Sequence, residues 1–316
     1  MPIPLRPRDE RIRANLSSPQ HHGGAFMKVT DPVAEPGHGP VFICDFSPPR
    51  GADPDLLSGA RQLAAADFIC VAYNPGKLVR LDSVAAARHL KQSTGRDVIF
   101  NLSPRDMNRI ALESKLLGAH LMGLENVLVV QGDAFSQQDG LRSVDDYTAT
   151  GLIAAIKRLN QGLDHRGAKL RSATDFCPGA ALDLNRDLED EVHLTHRKIE
   201  AGAEFLVSQP VFDVGRIVDF ASEYAAETGK PLRVPVFWGL QVLSRDGVLF
   251  SNVPPDILRD LENGRDGVDI ALETYALLRE QGIKTVYVVS PVLRGGARDY
   301  EAGGRFLQEA SASREG

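Results

Sequence analysis

The chain has 316 residues, of which 43% are apolar, which is enough for one large domain or two small ones with a full hydrophobic core. Its formal net charge of -6 at pH 7, without any dense run of Lys or Arg, argues against nucleic acid as a partner. No segment approaches the roughly 18 consecutive apolar residues of a membrane span, so we expect no membrane partner and a cytoplasmic protein.

The first 39 residues differ in composition from the rest of the chain. They are rich in Pro, Gly, Arg and His and show no sustained apolar period. We therefore expect residues 1–39 to form a surface arm, partly disordered, ahead of a single catalytic domain over residues 40–316.

The cysteines and the paired histidines do not form a metal-binding pattern. Cys44, Cys70 and Cys177 lie far apart in apolar runs, and His21-His22 has no further ligand at a useful spacing. We therefore expect no metal site, and we expect three buried thiols in a reducing compartment instead of disulfide bonds.

From Val41 onward, apolar strands alternate with amphipathic helices. The pattern predicts strands over 41–46, 68–73, 97–103, 126–131, 175–180, 205–211, 234–240 and 285–291. It predicts helices near 53–65, 82–94, 106–122 (with Asp106 as the cap), 143–161, 187–202, 214–228, 255–281 (in two pieces) and 298–313.

Eight strands, each followed by a helix, predict a (β/α)8 TIM barrel. An open doubly wound sheet is the alternative. It is less favoured because no GxGxxG motif follows the first strand and no shift in composition divides the chain into two lobes.

In a barrel of this kind the reactive groups follow the strands. The residues at these positions are polar but poor in nucleophiles, without a Ser/His/Asp set, a strand-end Lys for a Schiff base or a cluster of His. They are Asp45, Ser47, Tyr73, Asn74, Asn101, Ser103, Gln131, Asp133, Ser208, Gln209, Gln241 and Ser290.

Several motifs in one order carry a more specific signal. They are CDFSPPRG at 44–51, FNLSPRDMNRIALESKLLGA at 100–119, NVLVVQGD at 126–133, GLIAAIKRLNQG at 151–162 and RKIEAGAEFLVSQPVFD at 197–213. From about residue 41 to about residue 290 this pattern resembles the methylenetetrahydrofolate reductase family. The likeness is closest to the acetogen form and to the reductase modules fused to homocysteine methyltransferases.

The resemblance implies a (β/α)8 barrel that holds FAD at its carboxyl end. NADH or NADPH reduces the flavin in such proteins, and hydride then passes to 5,10-methylenetetrahydrofolate to give 5-methyltetrahydrofolate. It also implies a tetrahydrofolate-type substrate as the small-molecule partner. Family precedent favours a homo-oligomer or a complex with a methyltransferase or reductase partner.

The resemblance also assigns roles to individual residues. Asp45 stands where the family normally has the Glu that protonates N10 of the folate, and Asp133 matches the Asp that tunes the flavin and contacts the pterin. Gln209 matches a glutamine that contacts the substrate, with Gln131 and Phe212 as further substrate contacts. The matching cofactor positions are Tyr73, Asn74, Asn101, Ser103, Gly132, Asp133, Arg197 and Lys198.

Some positions depart from the family pattern, and the departures remove hydrogen-bond partners of the flavin. They are Ala72, Asn101, Pro104, Pro178, Leu182 and Leu194. Two alternatives therefore stay open: an accessory folate-binding paralogue, and a reductase that passes hydride from the nicotinamide to folate without flavin. Residues 139–147 and 242–252 are long enough to cover an active site, or they are ordinary surface connections.

Overall fold

The computed structural model describes residues 27–294 and 296–312. Eight parallel strands close into a barrel in which β8 pairs with β1, so the predicted (β/α)8 fold is confirmed. The strands are β1 (Val41–Phe46), β2 (Phe68–Val71), β3 (Asp97–Leu102), β4 (Asn126–Val129), β5 (Cys177–Leu182), β6 (Phe205–Pro210), β7 (Val236–Gln241) and β8 (Thr285–Val289).

One short helix precedes β1, and the other helices lie between or after the strands. They are α1 (Asp31–Ala34), α2 (Ser83–Thr94), α3 (Arg109–Leu121), α4 (Ala149–Asn160), α5 (Leu188–Glu200), α6 (Gly215–Thr228), α7 (Pro255–Glu262), α8 (Gly267–Glu280) and α9 (Tyr300–Ala312). Short 3₁₀ helices span Pro54–Leu63, Pro75–Lys77, Pro104–Asp106 and Gln137–Asp139. Within the described residues, no helix is long and apolar enough to cross a membrane.

Two predicted helices differ from the structure, one in helix type and one in its first residue. The helix expected near 53–65 is a 3₁₀ helix, with Gly59, a poor α-helix former, packed against the ring of Tyr300. The helix expected from residue 143 begins only at Ala149, where the Thr148 hydroxyl accepts a hydrogen bond from the N–H of Gly151.

The predicted cap of the third helix is wrong. Asn108 caps α3 by accepting a hydrogen bond from the N–H of Ala111. Asp106 cannot do so because its carboxylate accepts two hydrogen bonds from the guanidinium of Arg105, at 2.6 and 2.9 Å. The residue that was expected to begin a helix thus anchors an arginine at the carboxyl end of the barrel.

The strands are buried on both faces, as their continuous apolar runs predict. Side chains that alternate along each strand fill the interior, among them Ile43, Phe68, Ile99 and Phe237. Because successive side chains point to opposite faces, Asp45, two residues beyond Ile43, also points into the barrel.

Part of the expected surface arm is packed into the fold. Val29 is fully buried, and its N–H donates to Oδ1 of Asn126 on β4 at 3.0 Å. The Asn126 side chain in turn donates to the carbonyl of Met27, also at 3.0 Å. This segment therefore closes the amino end of the barrel, while residues 1–26 lie outside the described part of the chain.

All three cysteines are buried and free. Burial, and then the charge of Asp45, raises the pKa of Cys44 to about 12. Burial, and then Glu204, raises the pKa of Cys177 to about 12 as well. Burial also holds the pKa of Cys70 well above its usual range. At pH 8 a thiol with a pKa near 12 is ionised in only about one molecule in 10⁴.

We expect the native protein to resist iodoacetamide at pH 8, with all three thiols reacting after unfolding in concentrated urea. Mass spectrometry of the labelled protein measures the number of modified thiols. Since the folded state holds the thiol protons more tightly than the unfolded chain, stability is expected to fall as the pH rises above about 9. Rapid labelling of any cysteine in the native protein would contradict this.

Candidate active site

A cavity of about 940 Å³ lies at the carboxyl ends of the strands. It brings together the three residues on which the sequence-based hypothesis depends, because Asp45, Asp133 and Gln209 all line it. They come from β1, the loop after β4, and β6. In a (β/α)8 barrel this is the face that carries active sites.

Asp45 is buried, and both of its carboxylate oxygens are engaged. Oδ2 accepts a hydrogen bond from Nε of Arg298 at 3.0 Å, and Oδ1 accepts one from the Tyr287 hydroxyl at 3.2 Å. Burial opposes the charge of Arg298, but the neighbouring Asp45 outweighs it and raises the pKa of the guanidinium. Burial and the same carboxylate hold the pKa of Tyr287 well above its usual range. A guanidinium that keeps its charge and a phenol that keeps its proton therefore contact the Asp45 side chain.

The sequence analysis did not identify Arg298 or Tyr287 as site residues. Tyr287 lies inside β8, before the strand end, and Arg298 lies nine residues beyond Val289, the last residue of the strand. A buried Asp on the inner face of a strand requires a counter-charge. That requirement indicates a cationic partner for Asp45 elsewhere in the chain, which an inspection of strand ends alone does not find.

The segment after β7 supplies a wall of the cavity. Phe250 lines it, and the guanidinium carbon of Arg298 lies 5.7 Å from the centre of the Phe250 ring. Gln241, at the end of β7, holds the segment by donating to the carbonyl of Val248 at 2.7 Å and accepting from the N–H of Phe250 at 3.2 Å. Of the two segments expected as possible covers, 242–252 thus contributes to the site.

The turn after β4 is fixed by Ser103 and Arg105. Gly132 has φ +80°, and a Cβ built on it would lie 2.8 Å from Oγ of Ser103, so the turn needs a glycine. The Ser103 hydroxyl donates to the carbonyl of Gln131 at 2.9 Å, and Arg105 donates to the carbonyl of Asp133, also at 2.9 Å. These bonds leave the Asp133 carboxylate at the cavity wall.

Gln131 lines the cavity, but its side-chain oxygen accepts a hydrogen bond from the N–H of Ala149 at 3.0 Å. The amide therefore caps the start of α4. Ser103 is fully buried and does not line the cavity. Phe212 packs instead against an apolar cluster that contains Leu243 and Ile270. Of the predicted site residues, Ser103 and Phe212 thus do not line the cavity, although Ser103 supports the turn that contains Gln131 and Gly132.

A bulge in β6 sets the direction of Gln209. The pairing register between β6 and β7 shifts between Val207 and Pro210. The Ser208 hydroxyl fills the gap, since it accepts from the N–H of Gly239 and donates to the carbonyl of Gln209, both at 2.8 Å. Bulges of this kind commonly redirect a side chain beside an active site. The Gln209 amide consequently lies exposed in the cavity.

The cavity continues outward between α4 and α5. Ala154 of α4 and Leu194 of α5 line this groove, together with the exposed Arg197. Lys198 is buried, and its ammonium donates to the carbonyl of Ala181 at 2.6 Å. Burial lowers the pKa of Lys198, even though Glu191 lies 3.5 Å away.

Of the predicted cofactor residues at the ends of β2 and β3, Tyr73, Asn74 and Asn101 line the cavity. Burial, and then the charge of Asp106, raises the pKa of Tyr73, whose hydroxyl bonds with that carboxylate. Asn74 has φ +39°, a left-handed conformation, and its side-chain oxygen accepts from the N–H of Arg80 at 3.2 Å. Asn101 accepts a weak hydrogen bond from the Cys70 thiol at 3.1 Å.

Within the described residues, no group of three or more His, Cys, Asp or Glu forms a metal site.

Comparison with known proteins identifies the family of the chain. The family model described as methylenetetrahydrofolate reductase matches residues 34–284, which is most of the chain. The chain belongs to the methylenetetrahydrofolate reductase family. The sequence resemblance is thereby confirmed.

Two relatives add detail to this assignment. Methylenetetrahydrofolate reductase 2 of Saccharomyces cerevisiae is 23% identical over 196 residues, which are 60% of this chain and 31% of the yeast protein. The chain thus spans about a third of that relative. An uncharacterised protein from Clostridium thermocellum, solved with two copies of 5-methyl-5,6,7,8-tetrahydrofolic acid, shares the fold with a TM-score of 0.62 at 16% identity. The superposition covers 87% of this chain and 96% of the clostridial one.

Proposed function

We propose that this member of the methylenetetrahydrofolate reductase family reduces 5,10-methylenetetrahydrofolate to 5-methyltetrahydrofolate in the cytoplasm, with NADH or NADPH as the hydride source. The observation that carries the proposal is the single cavity that joins Asp45, Asp133 and Gln209. The folate bound to the clostridial structural neighbour supports the substrate class.

Asp45 serves the opening of the five-membered ring that bridges N5 and N10 of the folate. N10 takes up a proton from solvent, the bond between N10 and the bridging carbon breaks with its electron pair passing to N10, and a positively charged iminium remains at N5. The guanidinium of Arg298 donates a hydrogen bond to the Asp45 carboxyl group at 3.0 Å. We infer that this carboxylate stabilises the iminium charge, in a setting where water is excluded and charges interact strongly.

Asp133 and Gln209 suit the polar edge of a pterin. A carboxylate accepts two hydrogen bonds in one plane, and the pterin presents an amino group beside a ring N–H. A glutamine amide supplies one donor and one acceptor, which matches a ring carbonyl beside a nitrogen. Both side chains are exposed in the cavity, so they are available to a ligand.

FAD fits the groove between α4 and α5 by charge and position. The exposed Arg197 and the guanidinium of Arg186 line the cavity and would hold the pyrophosphate, and the first residues of α4, at the positive end of its dipole, line the same cavity. Bound there, a flavin would accept hydride from the nicotinamide and donate it to the folate. The protein residues would position the two rings and keep water out.

Direct hydride transfer from nicotinamide to folate is the second candidate, and it rests on a separate observation. The polar groups nearest the inner end of the groove already bond within the protein. Lys198 bonds to Ala181 and Glu191, and Gln131 bonds to Ala149. Leu194 adds an apolar surface in place of a hydrogen-bond partner.

We expect the purified full chain, incubated with FAD, to show a flavin absorption spectrum that NADH or NADPH bleaches without oxygen and that methylenetetrahydrofolate restores. Arg197→Met is expected to weaken FAD binding about tenfold, because it removes an exposed cation from the pyrophosphate arm. Arg96→Met, at the opposite end of the barrel, is the matched control. Turnover by a colourless protein would instead establish direct transfer. Folate binding without oxidation of either nicotinamide would contradict the reductase proposal and favour an accessory role.

A further inference from the structure

The solvent face of α3 is apolar along its length. A row of residues at heptad spacing runs along it: Ile110, Ser114, Leu117 and Leu121. The three apolar members of this row are exposed, and Leu121 is 88% exposed. We call the row the α3 seam. The residues beside it on the same face are also uncharged, and they are Ala111, Gly118 and Met122.

This face differs from an ordinary outer helix of the barrel. Leu277 of α8 is exposed as well, but it lies between Glu273 and Glu280. A single exposed apolar side chain needs no explanation, whereas a contiguous apolar patch marks an interaction surface. Apolar residues at heptad spacing form the line along which one helix packs on another. The α3 seam therefore fits an α-helix, and Gly118, whose added Cβ would meet no atom within 4 Å, leaves room for its backbone.

A hairpin of residues 163–171 borders one flank of the α3 seam. The N–H of His165 donates to Oε2 of Glu113 at 3.0 Å, and Nδ1 of the same His lies 3.2 Å from that oxygen. Glu113 is four residues from Leu117, so the two are neighbours on the helix surface. The cations of the hairpin are exposed, and within the described residues they have no carboxylate within 4.0 Å. They are Arg166, Lys169 and Arg171.

The other charges around this face have partners. Asp164, in the same hairpin, accepts hydrogen bonds from the N–H groups of Arg166 and Ala168, both at 2.8 Å. On the opposite flank Lys115 is paired with Asp82. At the start of α3 two arginines offset two aspartates, which are Arg109, Arg142, Asp145 and Asp146. The excess charge beside the α3 seam therefore lies on the hairpin and is positive.

Three other occupants match this charge less well. A two-fold contact between two copies of α3 sets the hairpin against itself or against the flank with Lys115, and neither has an excess of carboxylates. The first 26 residues of the chain contain four arginines against Asp9 and Glu10, so they are basic too. An anionic membrane attracts the hairpin, but the net charge of -6 opposes its approach.

We propose that the α3 seam docks an α-helix of another protein, which has apolar residues at heptad spacing and Asp or Glu along the edge that faces residues 163–171. Opposite charges across this flank favour such a partner and speed its encounter. The seam spans about three helical turns, so the contact belongs to the small, transient class of interfaces. The proposal does not depend on the reaction that the cavity supports.

Two synthetic helical peptides of about three heptads test the surface on the full chain. Both have Ile and Leu at the seam positions, but one has Glu at every flanking position and the other has Lys. Fluorescence anisotropy of the labelled peptides is expected to show at least about tenfold tighter binding of the glutamate peptide at low salt. Raised salt is expected to reduce the difference. Equal binding of both peptides, or no binding of the glutamate peptide, overturns the proposal.

Variants locate the contact. Leu117→Gln is expected to weaken binding of the glutamate peptide about tenfold, because it replaces an apolar side chain at the centre of the seam. Arg166→Gln combined with Lys169→Gln is expected to bring the affinities for the two peptides towards the same value. Leu277→Gln, on α8, is the matched control and is expected to bind as the unaltered protein does. Unchanged binding in folded Leu117→Gln, with folding checked by thermal melting, overturns the assignment to α3.

Two further measurements decide between the possible occupants. Sedimentation of the unaltered protein at rising concentration measures self-association, and flotation with vesicles of phosphatidylglycerol and phosphatidylcholine measures membrane binding. A dimer that Leu121→Gln abolishes overturns the proposal in favour of a second copy. Vesicle binding that the same variant abolishes overturns it in favour of a membrane. A monomer that does not float but binds the glutamate peptide supports it.

Discussion

Asp45→Asn is expected to lower kcat for the reduction of 5,10-methylenetetrahydrofolate by about 10²- to 10⁴-fold, the range typical of a charged group that acts on the reacting bond. The amide has nearly the same shape as the carboxylate but no charge to stabilise the iminium. Binding of 5-methyltetrahydrofolate is expected to change little, since that product carries no iminium. Stopped-flow or steady-state oxidation of the nicotinamide measures kcat, and calorimetry measures product binding.

Asp45→Glu separates a chemical role from a structural one. Glutamate restores the charge and is the residue that the family resemblance leads one to expect here, so it should retain more activity than asparagine. Asp97→Asn is the matched control, because Asp97 begins β3 at the opposite end and is paired with Lys91 at 2.6 Å. Similar losses of kcat in Asp45→Asn and Asp97→Asn would contradict a catalytic role for Asp45.

Arg298→Met is expected to lower the free energy of unfolding by about 3–5 kcal/mol, because it leaves the buried carboxylate of Asp45 without its counter-charge. The side chains of Asp45 and Arg298 are only 6% and 8% exposed, so water in the cavity replaces the lost partner only in part. Urea unfolding at pH 7 measures the difference.

The double variant Asp45→Asn, Arg298→Met provides the internal control. With both charges removed, most of the lost stability should return, since replacing a buried pair by neutral groups is often close to neutral in energy. A double variant as unstable as Arg298→Met alone would show that the arginine acts through packing, for example against Phe250, and not through its charge.

The sequence predicted the barrel well because the two signals behind it are local. Continuous apolar runs mark strands buried on both faces, and the helical period between them marks the covering layer. The predictions of individual contacts failed where a residue bonds to a tertiary partner instead of forming the expected local structure. Asp106 binds Arg105 instead of capping α3, and Val29 enters the amino end of the barrel because Asn126 offers it a hydrogen bond.

Only the site residues at strand ends could be predicted from the sequence. Asp45 and Gln209 follow from their positions on β1 and β6. Arg298 and Phe250 lie on long connections, and no local pattern indicates that these fold back over the cavity. Ser103 and Lys198 show the opposite problem, since each occupies a position where a ligand contact was expected, yet both bond to main-chain carbonyls of neighbouring loops or strands.

The bulge in β6 has a practical meaning for anyone who wishes to alter the pocket. A Cβ built on Gly239 would lie 2.5 Å from the main-chain carbon and oxygen of Gln209, so even alanine at 239 would push the neighbouring strand. The direction of the side chain at position 209 is therefore set by the backbone conformation of the bulge. In a library that randomises only position 209, each new side chain should begin at the same point in the cavity. In a library that also varies position 239, the backbone would shift and the side chains would begin at different points.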